Sequence, residues 1–262
     1  MSFDVRAVVG ASTLQERRLE LLANNLANVN TVGYKGTRPV FSLTSLPSKP
    51  GGGQPPIRPV AFGTSENAAG VERLHLGMGP QVTGVKTDFQ VGDLTVTGNP
   101  LDLALSKPGF FVVQTSKGPR YTRNGSFTLN AENALVTNEG FQVMGQRGTI
   151  TLEGKGFQID RAGKITVDGQ GVDSLRIVDF KDADKALRKE FSGLFINVSG
   201  NEPQEPEEID VQSGFLEGSN VNPIASMIEM MEVTRAFEAY TKVIQTMNET
   251  TQRASTEVGR LR

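Results

Sequence analysis

The side chains that could perform acid–base or metal chemistry are few in this chain. His75 is the only histidine among 262 residues, and cysteine is absent. A single imidazole cannot build a multi-histidine metal site, and without a thiol there is no disulfide and no cysteine nucleophile. We therefore assign His75 a surface or structural role and predict no catalytic histidine.

The carboxylates show no spacing that is typical of a catalytic or metal site. Four aspartates fall in predicted turns and strands, without the spacing of a calcium loop: Asp160, Asp168, Asp173 and Asp179. The adjacent pair Glu207-Glu208 lies in a proline-rich acidic loop, where solvation is expected. Gly-Lys-Gly at 154–156 lacks the flanking pattern of a phosphate loop. The sequence thus predicts no catalytic, cofactor-binding or metal site, and no enzyme.

The overall charge and hydropathy exclude two further classes of protein. The net charge is −2 and the pI is about 5.6, so a broad electrostatic interaction with nucleic acid is not expected. No apolar run reaches the roughly 18 residues of a membrane-spanning helix, which predicts no membrane insertion. The first residues also lack the apolar core and cleavage site of a signal peptide.

The stretch LLANNLANVNTVGYKG, residues 21–36, ends a predicted N-terminal helix. Apolar residues recur at steps of three and four, at Val5, Val8, Leu19, Leu22, Leu26 and Val29. This spacing predicts a helix over 2–31, followed by a left-handed residue at Gly33. Asparagine is a poor helix former, yet the same stretch carries Asn24, Asn25, Asn28 and Asn30.

The middle of the chain changes period. Residues 37–84 contain SLPSKPGGGQPPIRP and are predicted to be an extended connector. Short runs such as FFVVQT and SFTLN, separated by turn sequences, predict an antiparallel β-rich domain over 85–219. Asn124-Gly125 predicts a type I′ hairpin, and GFQIDRAGKITVDG at 156–169 predicts another. The predicted core includes Leu101, Leu103, Leu105, Phe110, Val112, Phe127 and Ile150.

The last segment, 220–262, is predicted to be a second long helix. Pro223 suits the first helical turn, with Asn220 or Asn222 as its cap. Its seam follows steps of three and four at Met230, Val233, Phe237, Tyr240, Ile244, Met247, Thr251, Ala254, Val258 and Leu261. The predicted fold class is α+β: N- and C-terminal helices (1–36 and 220–262) form a coiled-coil-like α domain beside the central β domain.

A single helix pair would leave part of such a seam exposed, which marks an interaction surface. Further copies of the chain would cover it, and this favours a tubular assembly. The alternative is that both helices pack on the β domain as an ordinary two-layer fold.

Several long blocks resemble one family. LLANNLANVNTVGYKG, GDLTVTGNPLDLALSKPGFFVVQT, YTRNGSFTLNAENALVTNEGFQVMGQRG and GFLEGSNVNPIASMIEMMEVTRAFEAYTKVIQT are similar to blocks of the flagellar axial proteins, the rod and hook subunits of the bacterial flagellum. The resemblance covers nearly the whole chain, and the length is that of a rod subunit. The last block is most similar to the proximal-rod subunit just below the distal rod, with a distal-rod or hook-type subunit as the alternative.

The resemblance implies a structural subunit that polymerises through its terminal helices into the drive shaft carrying motor torque to the hook. It implies partners among copies of itself, other rod proteins and the flagellar type III export apparatus. It also implies export without a cleaved signal and a place in the periplasmic rod. The expected assembly interface is Leu19, Leu22, Asn25, Leu26, Asn28, Val29, Met230, Val233, Phe237, Tyr240, Ile244 and Met247.

Alternatives remain at two levels. The asparagines could bond between subunits and fix their register, or they could lie on a solvated face with Asn30 helping to end the helix. At the level of function, a cell-wall-acting enzyme would need a cluster of acid and base groups that the sequence lacks. A coiled-coil adhesin would form a soluble homotrimer and no filament.

Overall fold

The structure is a computed structural model that describes residues 2–43, 80–154, 156–191 and 193–259. His75, most of the predicted connector and Leu261 lie outside the described residues. The chain divides into two compact units. One, which we call the β-sheet unit, comprises Asn24–Arg38 and Lys86–Ser226. The other comprises the described parts of Met1–Ala23, Pro39–Val85 and Met227–Arg262.

The fold is α+β, with a long helix near each end of the chain and antiparallel strands between them, as predicted. The helices are α1 (Ser2–Ala27), the short α2 (Ala183–Ala186) and α3 (Pro223–Gly259). Among the described residues, no helix has the length and apolar character needed to cross a bilayer.

The strands lie between α1 and α3 in chain order. They are β1 (Thr37–Leu43), β2 (Pro80–Thr87), β3 (Leu94–Val96), β4 (Leu103–Leu105), β5 (Phe110–Thr115), β6 (Gly118–Thr122), β7 (Phe127–Leu129), β8 (Leu135–Thr137), β9 (Gln142–Val143), β10 (Phe157–Ile159), β11 (Lys164–Val167), β12 (Gln170–Ser174), β13 (Ile177–Val178), β14 (Leu187–Lys189), β15 (Leu194–Asn197), β16 (Val211–Ser213) and β17 (Phe215–Glu217).

The largest sheet within the described residues has the order β14-β15-β6-β5-β9-β8-β7, with β13 also paired to β5. A smaller sheet has the order β10-β11-β12, and β16 and β17 return from the C-terminal side to pair with β4 and β3. These two pairings bring the segment just before α3 next to the segment that follows β2.

Both faces of β5 are buried, which explains its continuous apolar run. Phe111 and Val113 belong to one apolar cluster, and Phe110 and Val112 belong to a second cluster on the other face. The predicted core is confirmed for Leu103, Leu105, Phe110, Val112, Phe127 and Ile150, which are at most 3% exposed. Leu101 is only partly buried at the edge of the first cluster.

One predicted hairpin is confirmed and the other is wrong. β10 and β11 pair antiparallel, with the turn closed by Gly163 at φ 76°. In contrast, β6 pairs with β5 and β15 rather than with β7, and neither Asn124 nor Gly125 has a positive φ. A side chain at Gly125 would collide with the Leu103 carbonyl oxygen, so this glycine serves close backbone packing rather than a type I′ turn.

The predicted ends of the two long helices are only partly correct. α1 ends at Ala27, four residues before the predicted end, because Asn28 and Thr31 begin a series of turns there. α3 begins at Pro223 as predicted, and its cap is Asn222, whose Oδ1 accepts a hydrogen bond from the Ala225 N–H at 3.0 Å.

Candidate functional site

The four aspartates in predicted turns and strands accept hydrogen bonds within local turns and loops: Asp160, Asp168, Asp173 and Asp179. Asp160 Oδ1 accepts a hydrogen bond from Lys164 N–H at 2.8 Å, and Asp168 Oδ1 accepts one from Gly156 N–H at 3.2 Å. In the part of the chain that the structure describes, no three residues among His, Cys, Asp and Glu are grouped to hold a metal ion. Asp160 and Asp168 thus accept hydrogen bonds from backbone amides of nearby turns.

A cleft of about 600 Å³ opens in the β-sheet unit, and its charged rim is largely paired. Lys86 lies 2.7 Å from Asp184, and Arg38 lies 3.3 Å from Asp88. Because each of these two cations has a carboxylate partner, their charges are locally compensated. The rim of the cleft therefore does not carry charge of a single sign.

Ten of the twelve predicted assembly residues lie on the less exposed faces of the terminal helices, and Asn28 and Val29 lie in the turns just after α1. Leu22, Asn25 and Val233 are buried, at 8%, 7% and 2% exposure. The remaining nine are half-buried: Leu19, Leu26, Asn28, Val29, Met230, Phe237, Tyr240, Ile244 and Met247. The seam that the sequence shows is therefore the inward face of each helix in the single chain.

The opposite face of α3 carries an apolar stripe that the seam did not include. Ile224 is 71% exposed, and Met227, Ile228 and Met231 are 50–54% exposed. Their spacing of three and four places them on one side of the helix over its first turns. We call these four residues the outer stripe; beyond it the same face carries Arg235.

One ion pair joins the two long helices. Arg18 Nη2 on α1 lies 2.8 Å from Glu229 Oε1 on α3, and both side chains are partly exposed. An exposed pair of this kind contributes at most about 1 kcal/mol, so it orients the helices more than it stabilises them.

The end of α1 is fixed by its asparagines. Asn25 Oδ1 accepts a hydrogen bond from Thr37 N–H at 2.9 Å, while its Nδ2 donates to the Thr37 carbonyl oxygen at 2.8 Å. The Tyr34 hydroxyl donates to Asn24 Oδ1 at 2.8 Å and lies 3.2 Å from Asn25 Oδ1. Asn28 Nδ2 donates to the Asn24 carbonyl oxygen. These asparagines bond within the chain and fold the segment after α1 back on the helix end.

A buried ionic cluster lies at the end of this segment. Lys35 Nζ lies 2.5 Å from Glu217 Oε1, and Arg123 Nη1 lies 3.1 Å from Glu217 Oε2. Lys35 and Glu217 are completely buried, and Arg123 is 3% exposed. We call these three residues the junction cluster, since they come from the segment after α1, the segment after β6, and β17.

The junction cluster also satisfies backbone groups. Lys35 Nζ donates to the Gln90 carbonyl oxygen, and Arg123 donates to the carbonyl oxygens of Leu105 and Lys107. The Glu217 carboxylate accepts a further bond from an amide at 2.9 Å, that of Gly92. Every charged atom group in the cluster is thus hydrogen-bonded, as burial requires.

Burial changes the proton equilibria at this site. Burial lowers the pKa of Lys35 and of Arg123, and in both cases the Glu217 carboxylate opposes that shift. Burial also lowers the pKa of Lys189 to about 8; its Nζ lies 3.3 Å from the centroid of the Tyr34 ring. The cluster therefore depends on Glu217, which is the single anion between two cations.

Gly33 allows the close approach on which the cluster depends. Its φ is 65°, and a Cβ there would lie 2.4 Å from Asn124 N and 2.5 Å from Arg123 C. Its N–H donates to the Glu217 carbonyl oxygen at 2.7 Å. Only glycine combines this left-handed conformation with contact to the neighbouring backbone.

Sequence reasoning missed the junction cluster. Lys35, Arg123 and Glu217 each stand beside a glycine or an Asn-Gly pair, in YKG, RNG and LEG, and each reads as an exposed turn residue. The available signal was that Lys35, Arg123 and Glu217 each lie in one of three of the four blocks quoted above, but nothing in their spacing places them together.

Comparison with protein families gives three matches along the chain. The model described as flagella basal body rod protein matches residues 6–35, and flagellar hook protein FlgE/F/G D1 domain matches 104–172. Flagellar basal body rod FlgEFG protein C-terminal matches 212–257. Each matched segment contributes one residue of the junction cluster.

Whole-chain relatives agree with these matches. The chain is 31% identical to the flagellar basal-body rod protein FlgF of Caulobacter vibrioides, over 94% of this chain and 93% of that one. It is 30% identical to the flagellar basal-body rod protein FlgG of Agrobacterium fabrum, over 94% and 96%. It is 31% identical to FlgG of Bacillus subtilis, over 90% and 92%. The near-equal identities do not separate the two kinds of relative.

Proposed function

The chain belongs to the flagellar basal-body rod proteins and is a structural subunit of the rod, and from this premise we propose that it polymerises through its terminal helices. The polymer is the shaft that carries motor torque to the hook. Its partners are copies of itself and other rod proteins. We propose no enzymatic activity for it.

The observation that carries this proposal is the outer stripe of α3. Its methionine and isoleucine side chains are at least half exposed and recur at helical spacing. Covering them with a second surface removes apolar area from water, which favours association. Met227 and Met231 can also adapt to a non-identical neighbour, since methionine side chains are flexible. A subunit that meets both copies of itself and different rod proteins needs such a surface.

The twelve assembly residues predicted from the sequence remain part of the proposal in a different role. We propose that Leu19, Leu22, Val233 and Phe237 hold α1 and α3 together in a coiled-coil-like α domain, which the Arg18–Glu229 pair supports. The helices would then present the outer stripe to a neighbour. Asn25 and Asn28 are the exceptions, because Asn25 is hydrogen-bonded to Thr37, and Asn28 is hydrogen-bonded to Asn24 and Thr31.

The position in the rod and the route to it are further proposals. The resemblance of the last sequence block, which includes Thr234-Arg235-Ala236-Phe237-Glu238, to the proximal-rod subunit supports a place just below the distal rod. The distal-rod position is the alternative. We propose export by the flagellar type III apparatus, without a cleaved signal, into the periplasmic rod.

The experiment places an aspartate in the outer stripe. In a strain that lacks its own copy of the gene, Met231→Asp should abolish swimming and the formation of rods in purified basal bodies. A carboxylate without a partner in an apolar contact costs several kcal/mol per interface. Circular dichroism of the purified variant should show an intact β core, because Met231 is an exposed residue of α3.

Two matched variants complete the experiment. Phe191→Asp changes an apolar residue that is 58% exposed on the β-sheet unit, and cells carrying it should swim normally. Phe237→Asp changes the inward face of α3 and should block assembly as well. Normal swimming with Met231→Asp would rule out the outer stripe as an assembly surface.

A further inference from the structure

The junction cluster lies inside one compact unit together with one end of each terminal helix. The last residues of α1, from Asn24, and the first residues of α3, up to Ser226, belong to the same compact unit as the sheet. Both helix ends are therefore anchored by contacts inside one unit.

Contacts lead from each helix end to the segment 33–37. Asn25 at the end of α1 is bonded to Thr37. From the other side, Asn220 Oδ1, three residues before α3, accepts a hydrogen bond from Gly36 N–H at 2.8 Å. Lys35 lies between these two contacts and reaches Glu217 on β17. One short segment thus connects the end of α1 with the start of α3.

Burying ionic side chains at the junction cluster carries a desolvation cost. Removing Lys35 and Glu217 from water costs free energy that their attraction returns only in part, and an apolar residue would fill the same volume without that cost. Charged donors and acceptors form strong hydrogen bonds only in a suitable geometry, so they restrict the arrangement of segment 33–37. A buried cluster of this kind is therefore weak evidence for net stability, and its directional contacts suit a role in fixing one arrangement of the segment.

We propose that Lys35 is a positioning residue that locks segment 33–37 to Glu217 and so holds the last turn of α1 and the first turn of α3, which belong to the same unit, in a single arrangement for rod assembly. This inference rests on the proposed function, because the arrangement of the helix ends matters for assembly only if the helices are the assembling parts. A loose segment would leave both helices in the chain but their ends without one fixed arrangement.

The test variant is Lys35→Met, studied in the full chain by hydrogen exchange. It removes one cation and leaves the Arg123–Glu217 pair neutral and intact. The amides of Gly33, Gly36 and Thr37 keep their acceptors, because none of those acceptors belongs to Lys35. Their exchange should accelerate about ten-fold or more, while the amides of β5 exchange as in the wild type.

Two further variants calibrate the result. Lys86→Met makes the same chemical change at a lysine that is 59% exposed and paired with Asp184, and it should leave all these amides unchanged. Glu217→Gln removes the anion shared by Lys35 and Arg123 and should accelerate exchange at the same three amides more than Lys35→Met does. A smaller effect of Glu217→Gln would contradict the lock.

Rod assembly supplies the second readout. Cells with Lys35→Met should form few complete rods and swim poorly, whereas cells with Lys86→Met should swim normally. Unchanged exchange at the three amides, equal acceleration in β5, or normal rods in the Lys35→Met strain would each overturn the inference. Failure of the wild-type chain to restore swimming would instead overturn the proposed function, and the two failures are thereby distinguished.

Discussion

At the scale of single residues, the surroundings of Lys189 set a proton equilibrium. Its Nζ lies over the ring of Tyr34 and 3.3 Å from the Lys35 carbonyl oxygen, to which it donates. Burial lowers the pKa of Lys189 from 10.5 to about 8, while the face of the aromatic ring favours the charged form. Lys189 is therefore a cation at neutral pH that loses its proton under mildly alkaline conditions.

This equilibrium predicts a pH-dependent stability. Between about pH 8 and pH 10.5 the unfolded chain holds the Lys189 proton more tightly than the folded chain, so the free energy of unfolding should rise with pH in that window. Below about pH 8 both states are protonated and this contribution is constant. Urea unfolding at a series of pH values, for wild type and Lys189→Met, measures it. The difference in stability between the two proteins should grow in favour of the wild type as pH rises, and parallel curves would contradict the shifted pKa.

At the scale of elements, the turns after α1 depend on a glycine in the left-handed conformation. Gly33 has a φ of 65° and touches the backbone of Arg123 and Asn124, whereas Gly98 has a φ of 74° with open space around it. The two glycines share a backbone conformation and differ only in what surrounds them.

This pair predicts a graded loss of stability. Gly98→Ala should lower the free energy of unfolding by about 1–2 kcal/mol, the cost of a left-handed alanine. Gly33→Ala should cost roughly 3 kcal/mol or more, because its methyl group must also displace the neighbouring backbone. Urea unfolding of both variants supplies the comparison, and equal losses would show that the contact at Gly33 is unimportant.

The same elements show how far the sequence could be interpreted. Steps of three and four correctly placed both long helices, and the burial of Phe127 and Ile150 followed from apolar runs between turns. The extent of α1 was overestimated because Val29 continues the apolar period, while hydrogen bonds from Asn28 and Thr31 end the helix earlier. The spacing of apolar residues does not reveal where side-chain hydrogen bonds compete with the backbone hydrogen bonds of a helix.

Pairing across the sheet was harder to predict. Asn124-Gly125 has the composition of a two-residue hairpin, but β6 is already paired on both sides by β5 and β15. The junction cluster was missed for a related reason, since Lys35 and Glu217 are 182 residues apart and become neighbours only in the folded chain. Sequence spacing predicts contacts along an element far better than contacts between distant ones.

At the scale of the whole molecule, the division into two units predicts different dynamics along the chain. The unit with Asn24–Arg38 and Lys86–Ser226 contains both apolar clusters and the junction cluster. Among the side chains of α1 and α3 that the structure describes in the other unit, Leu22 and Val233 are the only buried apolar ones, and the other predicted assembly residues are half-buried. Isolated helices gain most of their stability from packing, so these parts should open readily before assembly.

Hydrogen exchange of the purified monomer tests this prediction. Exchange should be slow in 24–38 and in the strands of 86–226, and fast in 8–23 and 227–253. The boundary should fall at the helix ends and not at the start of the strands, because Asn25 and Tyr34 are tied into the sheet unit. Strong protection along the full length of α1 and α3 in a monodisperse monomer would instead support the ordinary two-layer fold.

The large sequence separation between Lys35 and Glu217 also determines when the junction cluster can form as the chain is synthesised from its N-terminus. Lys35 is synthesised early, but its partner Glu217 follows only with β17, and Arg123 pairs with the same carboxylate. In an incomplete chain, segment 33–37 therefore lacks its ionic contact. The junction cluster forms only in a nearly finished molecule, so the chain becomes competent to assemble only when it is almost complete.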